Sequence, residues 1–419
     1  MRKIILEDPR KVFPFNEPAR DLRVLNKPLW LYQRDVLAPY VSEERAVGAL
    51  AEVDSRPVET LVYRDNLFFD RFFLEEFVGR ARKMGKACRV AFSLSDAAIN
   101  AHALYMQQGI RREGDVYVAD MWYFPKGIEP TVSPLVIDTE SREAGYYHVP
   151  THMSDRTGEL VYRLPTKAFC SIEHWIHTIT ANIFFGVFSE GARLERDIES
   201  SALTQLRFLW HGMLERKQAG TSSAAVHIGR NCSIDPSVII QGPTYIGDNV
   251  TIGAGAVIDV AIIGDNVDIA QGGQVHLSVV SDRCFLPFRA ALFMTVLMED
   301  SMVAQNTCLQ FCSVGRNTFI GAGTTFTDFN LVSKSIRAVG QDGTLGETGM
   351  PVLGGCVGHN CFVGSGMVVY PARAIESDVV LLASDERRVI TRNVRWEDSD
   401  HFAITNGEEL HQRLYDPKA

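Results

Sequence analysis

The sequence predicts two bodies of different class: an α/β domain with a mostly parallel sheet over residues 1–220, and an all-β prism of short parallel strands over residues 226–385. Three observations carry this. Strand-like and helix-like segments alternate through the first half, the pattern of a sheet covered by helices. From Ile246 onward an apolar residue recurs at spacings of 6, 6 and 5, a period that fits neither an α-helix nor a flat strand. Glycine follows the recurring residue at Gly229, Gly247, Gly253, Gly264, Gly315, Gly321, Gly358 and Gly364, where tight turns at the corners of a prism would suit it.

In the first half, Lys3-Ile-Ile-Leu reads as a short strand running into Glu7-Asp8-Pro9-Arg10. Leu25 to Gln33 suits a loop entering a helix. Glu59 to Asp70 reads as a strand ending in an acidic turn, followed by an amphipathic helix to about Met84 and a strand from Cys88 to Leu94. Ile172 to Phe185 resembles the helix that closes the domain of sugar-1-phosphate nucleotidyltransferases, which implies closing helices over residues 170–218.

In the second half the recurring positions are Ile246, Ile252, Ile258, Ile263, Ile269, Val275, Val280, Leu286, Leu292, Leu297, Val303, Leu309, Val314, Ile320 and Phe326. An earlier coil reads Ile228, Ile234, Ile240 and a later one Val357, Val363, Val369. Each triplet is one turn around three faces, and seven turns stacked at about 4.8 Å make a prism ~34 Å tall. Residues 327–351 break the period and are polar and glycine-rich, so they are expected to be extruded as a loop, with Lys334 and Arg337 able to hold an anionic ligand. Residues 386–419 read as a C-terminal tail.

Composition narrows the function classes. The 419 residues carry 42 basic and 51 acidic side chains, a net charge of −9, without the cationic footprint of a nucleic-acid binder. The longest apolar runs, such as Ile179 to Val187, are too short to span a bilayer. The opening Met1-Arg-Lys-Ile-Ile-Leu lacks the apolar region and cleavage site of a secretory leader. Eight cysteines with no C-x-x-C pair read as reduced thiols, Cys308 and Cys312 being the closest couple. A cytoplasmic protein is expected.

The segments I-G-D-N-V-T-I-G-A-G-A-V-I and V-G-R-N-T-F-I-G-A-G-T-T-F resemble the hexapeptide-repeat left-handed β-helix. That resemblance implies a homotrimer. In the first half, Asn26-Lys27-Pro28-Leu29 and Arg64-Asp65-Asn66-Leu67-Phe68 resemble motifs of sugar-1-phosphate nucleotidyltransferases. A domain of that kind followed by a β-helix resembles the bifunctional N-acetylglucosamine-1-phosphate uridylyltransferase/acetyltransferase family. The resemblance implies nucleotide binding by Asp8, Arg10, Lys27 and Asp65: Arg10 as the loop arginine, Lys27 as a phosphate clamp, and Asp65 as a ligand of Mg²⁺. The family's glycine-rich phosphate loop is replaced here by Glu7-Asp8-Pro9-Arg10, which offers no glycine and places two carboxylates where phosphate would lie.

Val357-Gly-His359-Asn-Cys-Phe-Val363-Gly resembles the signature of β-helix acyltransferases, which implies His359 as a general base toward an acyl thioester. Gln305 occupies the coil position where the uridylyltransferase/acetyltransferase family carries its histidine, so acetyl transfer in that manner is not expected. His174 and His177 beside Glu173, with His148 and His152 upstream, form a weak candidate metal cluster. Three functions remain open. The first is transfer of a nucleotidyl group from a nucleoside triphosphate to a sugar 1-phosphate, with Mg²⁺. The second is acyl transfer through His359 from acyl-CoA or acyl-carrier protein. The third is a non-catalytic nucleotide-sugar binder or trimeric scaffold.

Overall fold

A computed structural model describes residues 1–54, 56–148, 159–191, 193–194, 202–215, 222–330, 335–340, 343–404 and 411–418. The chain divides into two compact units, one of residues 1–11 and 18–185, the other of residues 12–17 and 186–419.

The first unit is built on β1 (Arg2–Leu6), β2 (Glu43–Val47), β3 (Thr60–Arg64), β4 (Leu67–Phe69), β5 (Cys88–Ser93), β6 (Ile110–Glu113), β7 (Val116–Phe124), β8 (Ser133–Val136) and β9 (Phe169–Ser171). The main sheet runs β8-β5-β7-β3-β1-β2, with β6 on β7. It is mixed, not mostly parallel: β1–β2, β1–β3 and β5–β8 are parallel, while β7 runs against β3, β5 and β6. For β6 and β7 the reason is local. Gly114 at φ 60° and Asp115 turn β6 directly into β7, and so short a connection can join only antiparallel strands.

Helix α1 spans Leu29–Leu37 and α2 spans Arg71–Met84. Asp70 caps α2 by accepting the Phe73 N–H at 2.7 Å, and Gly85 at φ 63° ends it, the placement their chemistries favour. Phe73, Leu74, Phe77 and Val78 form its buried face. The expected closing helix begins later than its sequence suggests, as α3 (Ile176–Ile179), and continues as a π-helix over Thr180–Val187. In the second unit, α4 spans Ala202–Glu215.

The prism consists of three parallel sheets of eight short strands each, beginning at Val226–Ile228, Ser233–Ile234 and Ile239–Gln241 and ending at Ala374–Ile375, Val380–Leu381 and Val389–Ile390. All fifteen recurring positions from Ile246 to Phe326 are buried in one continuous core. There are eight coils where seven were expected, because Ile375, Leu381 and Ile390 form a last coil whose third side is delayed by residues 382–388.

The corner glycines serve a different purpose from the one expected. Left-handed backbone falls instead on Asn231, Asn249, Asn266, Arg283, Asp300, Asn317, Asn360 and Asp378. Asparagine and aspartate tolerate that conformation, and several of these side chains bond coil to coil, as Asn317 does to Asn360 at 2.9 Å. The glycines are required by close approach: a Cβ at Gly247 would lie 2.7 Å from the Gly264 carbonyl carbon of the next coil. The sixth coil pairs directly with the seventh across the insert, whose described residues include an antiparallel hairpin, Arg337–Val339 with Leu345–Glu347.

Candidate functional site

The charged cluster of the first unit lies at the carboxyl ends of β1 and β3. These strands are parallel neighbours in register from Arg2↔Thr60 to Leu6↔Arg64, so the segments that follow them emerge together. Asp65 is 2% exposed. Its N–H donates to the Leu6 carbonyl at 3.0 Å, and its Oδ1 accepts the Asp8 N–H at 2.9 Å. Gln33 on α1 donates to the carbonyls of Asp65 and Leu67, fixing the turn between β3 and β4.

Arg10 grips Asp8 through Nε and Nη2, the latter at 2.6 Å, and reaches Glu173 Oε2 through Nη1 at 2.9 Å. Glu173 is itself held by the Gly109 N–H and the Ser171 hydroxyl, each at 2.7 Å. Asp8, Arg10 and Asp65 therefore come together as the sequence suggests. Lys27 does not join them: it pairs with Asp35 at 2.6 Å on an exposed surface. The nearby cation is Arg20, 3.4 Å from Asp65 Oδ2 and 3.5 Å from Glu7. Sequence reasoning passed over Arg20 because no motif marks it.

The two buried carboxyls differ electrostatically. Burial pushes Asp8 upward, but hydrogen bonds and charge from Arg10 outweigh it and leave its pKa below the ordinary value. Burial pushes Asp65 upward too, and the charges of Asp8 and Glu7 add to it. The Asp8 N–H and Arg20 offset only part, so Asp65 rises to about 6. Asp65 is thus a buried acid with less counter-charge than its ionised form demands, a condition typical of functional sites.

His359, in the second unit, is fully buried. Its Nδ1 accepts the Arg316 N–H at 2.9 Å, which leaves Nε2 carrying the proton toward Glu17 Oε1 at 3.0 Å. Glu17 in turn takes two hydrogen bonds from the Arg316 guanidinium, each at 2.8 Å. Phe15 and Tyr415 cover the ring, with centroids 5.0 and 4.7 Å away. The expectation of a general base is corrected here, because both nitrogens are committed and no face is open to a substrate. His359 instead fastens the strap of residues 12–17, whose Pro14 and Phe15 carbonyls also accept from the Ser377 hydroxyl.

The candidate histidine metal cluster is also corrected. His177 Nδ1 accepts the N–H groups of Glu173 and His174, both at 2.9 Å, and its Nε2 meets the Tyr105 carbonyl at 2.8 Å. The imidazole thus ties down the turn of residues 173–174 that leads into α3. His152 lies outside the described residues, as does the His148 side chain. Among the described residues no three His, Cys, Asp or Glu side chains converge as a metal site. All eight cysteines are free thiols, Cys308 exposed and Cys312 buried.

Residues 225–260 match the family model described as bacterial transferase hexapeptide (six repeats). The prism is a left-handed parallel β-helix, and its match to the hexapeptide-repeat model lies within those residues. Two proteins named bifunctional protein GlmU are similar to this chain. The one from Geotalea uraniireducens is 31% identical over 162 residues, 38% of this chain and 35% of the relative. The one from Pseudoalteromonas atlantica is 26% identical over 180 residues, 39% and 40% of the two chains. The chain thus spans well under half the length of these relatives. Among solved structures, the polysialic acid O-acetyltransferase OatWY aligns at 16% identity and a TM-score of 0.18, over 41% of this chain and 80% of that one. The β-helix core accounts for the family match, since residues 225–260 cover its first two coils. No described helix is long and apolar enough to cross a membrane.

Proposed function

We propose that this protein is a transferase whose first unit moves a nucleotidyl group from a nucleoside triphosphate to a sugar 1-phosphate. The observation that carries this reading is the Asp65 carboxyl: buried, raised to about 6, and set beside Asp8, Arg10 and Arg20 at the carboxyl ends of parallel strands. Ligands of α/β sheets bind in that position.

The reaction asks little of the protein in proton transfer. An ionised oxygen of the sugar phosphate attacks the α-phosphorus, the bond to the β-phosphate oxygen breaks, and pyrophosphate leaves with its electron pair. Charge neutralisation and alignment supply the catalysis. Arg10 and Arg20 are the cations at hand, Arg10 held by Asp8 and Glu173 and Arg20 more loosely by Asp65 and Glu7, and both are partly exposed. Arriving phosphates would compete with Asp8 and Asp65 for them. Asp65 also fits the single protein carboxylate that Mg²⁺ needs when phosphates and water complete its shell, and its excess negative charge favours a cation. Mg²⁺ there would neutralise the phosphates of the bound nucleotide.

Acyl transfer through His359 has no geometric support, so acyl-CoA and acyl-carrier protein are not proposed as His359 substrates. A homotrimer joined through the prism remains part of the proposal. Phe285 and Phe362 are exposed in one outward ladder with Met302 and Phe319 between them, and Leu206, Trp210 and Met213 are exposed on α4. Such apolar surface suits contact between copies.

The experiment is calorimetry and a pyrophosphate-release assay with nucleoside triphosphates and sugar 1-phosphates in Mg²⁺. Turnover that falls at least about a hundredfold in Arg10→Ala and Asp65→Ala supports the reading. Failure of every nucleotide and nucleotide-sugar to bind the native protein would sink it.

A further inference from the structure

Beneath the prism's insert lies a cavity of about 380 Å³, lined by Thr327, Phe329, Arg337, Tyr370, Pro371 and Arg373 with two other side chains. Its described lining carries two cations and no acid. Among the described residues, neither Arg337 nor Arg373 has a carboxylate within ion-pair distance.

Arg373 is the more telling of the two. Its Nε is buried without a hydrogen-bond partner. Burial lowers its pKa, with no acid acting against that shift. A buried donor left unmade costs stability, and Arg373, unlike Arg2 and Arg316, has no carboxylate beside it to balance its charge. Two acids stand nearby in sequence or register, and neither compensates. Glu347 lies across the hairpin from Arg337 without pairing to it. Asp328 does not line the cavity, and burial raises its pKa. Lys334, expected to act with Arg337, lies outside the described residues.

We propose that this cavity binds a phosphorylated ligand, its phosphoryl group held by Arg337 and Arg373 and its flat organic part lying on Tyr370 and Phe329. Guanidinium forks match phosphate oxygens, and aromatic faces accept a heterocyclic base. A volume near 380 Å³ is at the small end of ligand sites and suits a mononucleotide-sized group. The inference stands apart from the proposed nucleotidyl transfer, since it uses none of the same residues.

Calorimetry with pyrophosphate, ADP and coenzyme A tests it. The expected result is binding by ADP or coenzyme A that is tighter than by pyrophosphate and weakens with salt. Affinity should drop about ten- to a hundredfold in Arg373→Gln and in Arg337→Gln, with the melting temperature kept. Arg373→Lys should restore part of the affinity, and Tyr370→Ala should weaken the two nucleotides but not pyrophosphate. Arg10→Ala is the control for the first unit and should leave this binding intact. Absence of binding by all three probes, unchanged affinity in both arginine variants, or loss in Arg10→Ala alone would overturn the proposal. Pyrophosphate binding as tightly as ADP, with Tyr370→Ala silent, would overturn the stacking contact.

Discussion

Glu17 and His359 stand 342 positions apart in the sequence and 3.0 Å apart in space. Their contact joins the strap of residues 12–17 to the seventh coil of the prism, and Arg316 of the sixth coil grips the same carboxylate. The surroundings are dry, so the pair is worth more than a surface contact and costs more to break.

His359→Ala should therefore lower stability by about 2–4 kcal/mol, by leaving a cavity beside Phe15, removing one hydrogen bond from Glu17 and leaving the Arg316 N–H without its partner. Any nucleotidyl transfer should persist at temperatures where the variant is folded. Urea unfolding checks the first statement, and an unchanged midpoint would release His359 from this fastening role.

Stability should fall in mild acid. Burial depresses the pKa of His359 and His177, and burial together with the Arg163 charge brings His102 down to about 4. These rings stay neutral in the folded chain, while in the unfolded chain they take a proton near 6.5. The unfolded state then binds more protons, and stability is lost as pH falls below 6.5, down to about 4 for His102. His102 alone should account for about 3 kcal/mol across that window. Urea midpoints at several pH values should show a shallower slope in His102→Gln.

Asp65 should show the opposite sign. Its folded pKa of about 6 lies above the ordinary carboxyl value of 3.8, so its ionised form costs stability above pH 6 and nothing below pH 3.8. Asp65→Asn should stabilise the protein by about 1–3 kcal/mol at pH 8 and not at pH 3.5, while weakening Mg²⁺-dependent nucleotide binding. Stability unchanged at pH 8 would remove the claim that the site holds excess charge.

Ile320→Asp should prevent folding. Ile320 is fully buried between Val303 and Val363 in the inward ladder, where a carboxylate finds neither water nor a partner. Circular dichroism and solubility test this, and a soluble variant as stable as the parent would refute the core assignment at that coil.

Light scattering should give a mass of about 140 kDa, three chains of 46.7 kDa. Phe285→Glu with Phe362→Glu should shift it toward one chain, since a charged ladder cannot be buried between copies. A native mass of 46.7 kDa would end the trimer proposal.

The prism was legible because its signal repeats: each coil places an apolar residue on the same three faces, and six successive coils reinforce the register. The last coil escaped because residues 382–388 push Ile390 out of step. In the first unit, Asp8, Arg10 and Asp65 were found together because parallel strands β1 and β3 carry their loops to one edge. The exchange of Lys27 for Arg20 could not be read, because the turn at Leu25 and Asn26 (φ 49° and 64°) sends Lys27 toward Asp35. Glu173 was misgrouped with its histidine neighbours because local spacing says nothing about Arg10, 163 positions away. The strap left no local trace at all. Its contacts with Ser377 and Glu376 are made by ordinary residues whose partners lie hundreds of positions away.

That strap sets a timetable for biosynthesis. A ribosome adding 5–20 residues per second needs roughly 20–70 s to travel from Glu17 to His359. Throughout that time Phe15, fully covered in the finished protein, has been made but its covering residues have not. Closing so wide a loop late is slow as well as delayed, because distant contacts bring their reward only after the intervening chain is ordered. The segment around Phe15 therefore stays open to a chaperone or a protease while the chain is made, and the last coils of the prism bring that exposure to an end.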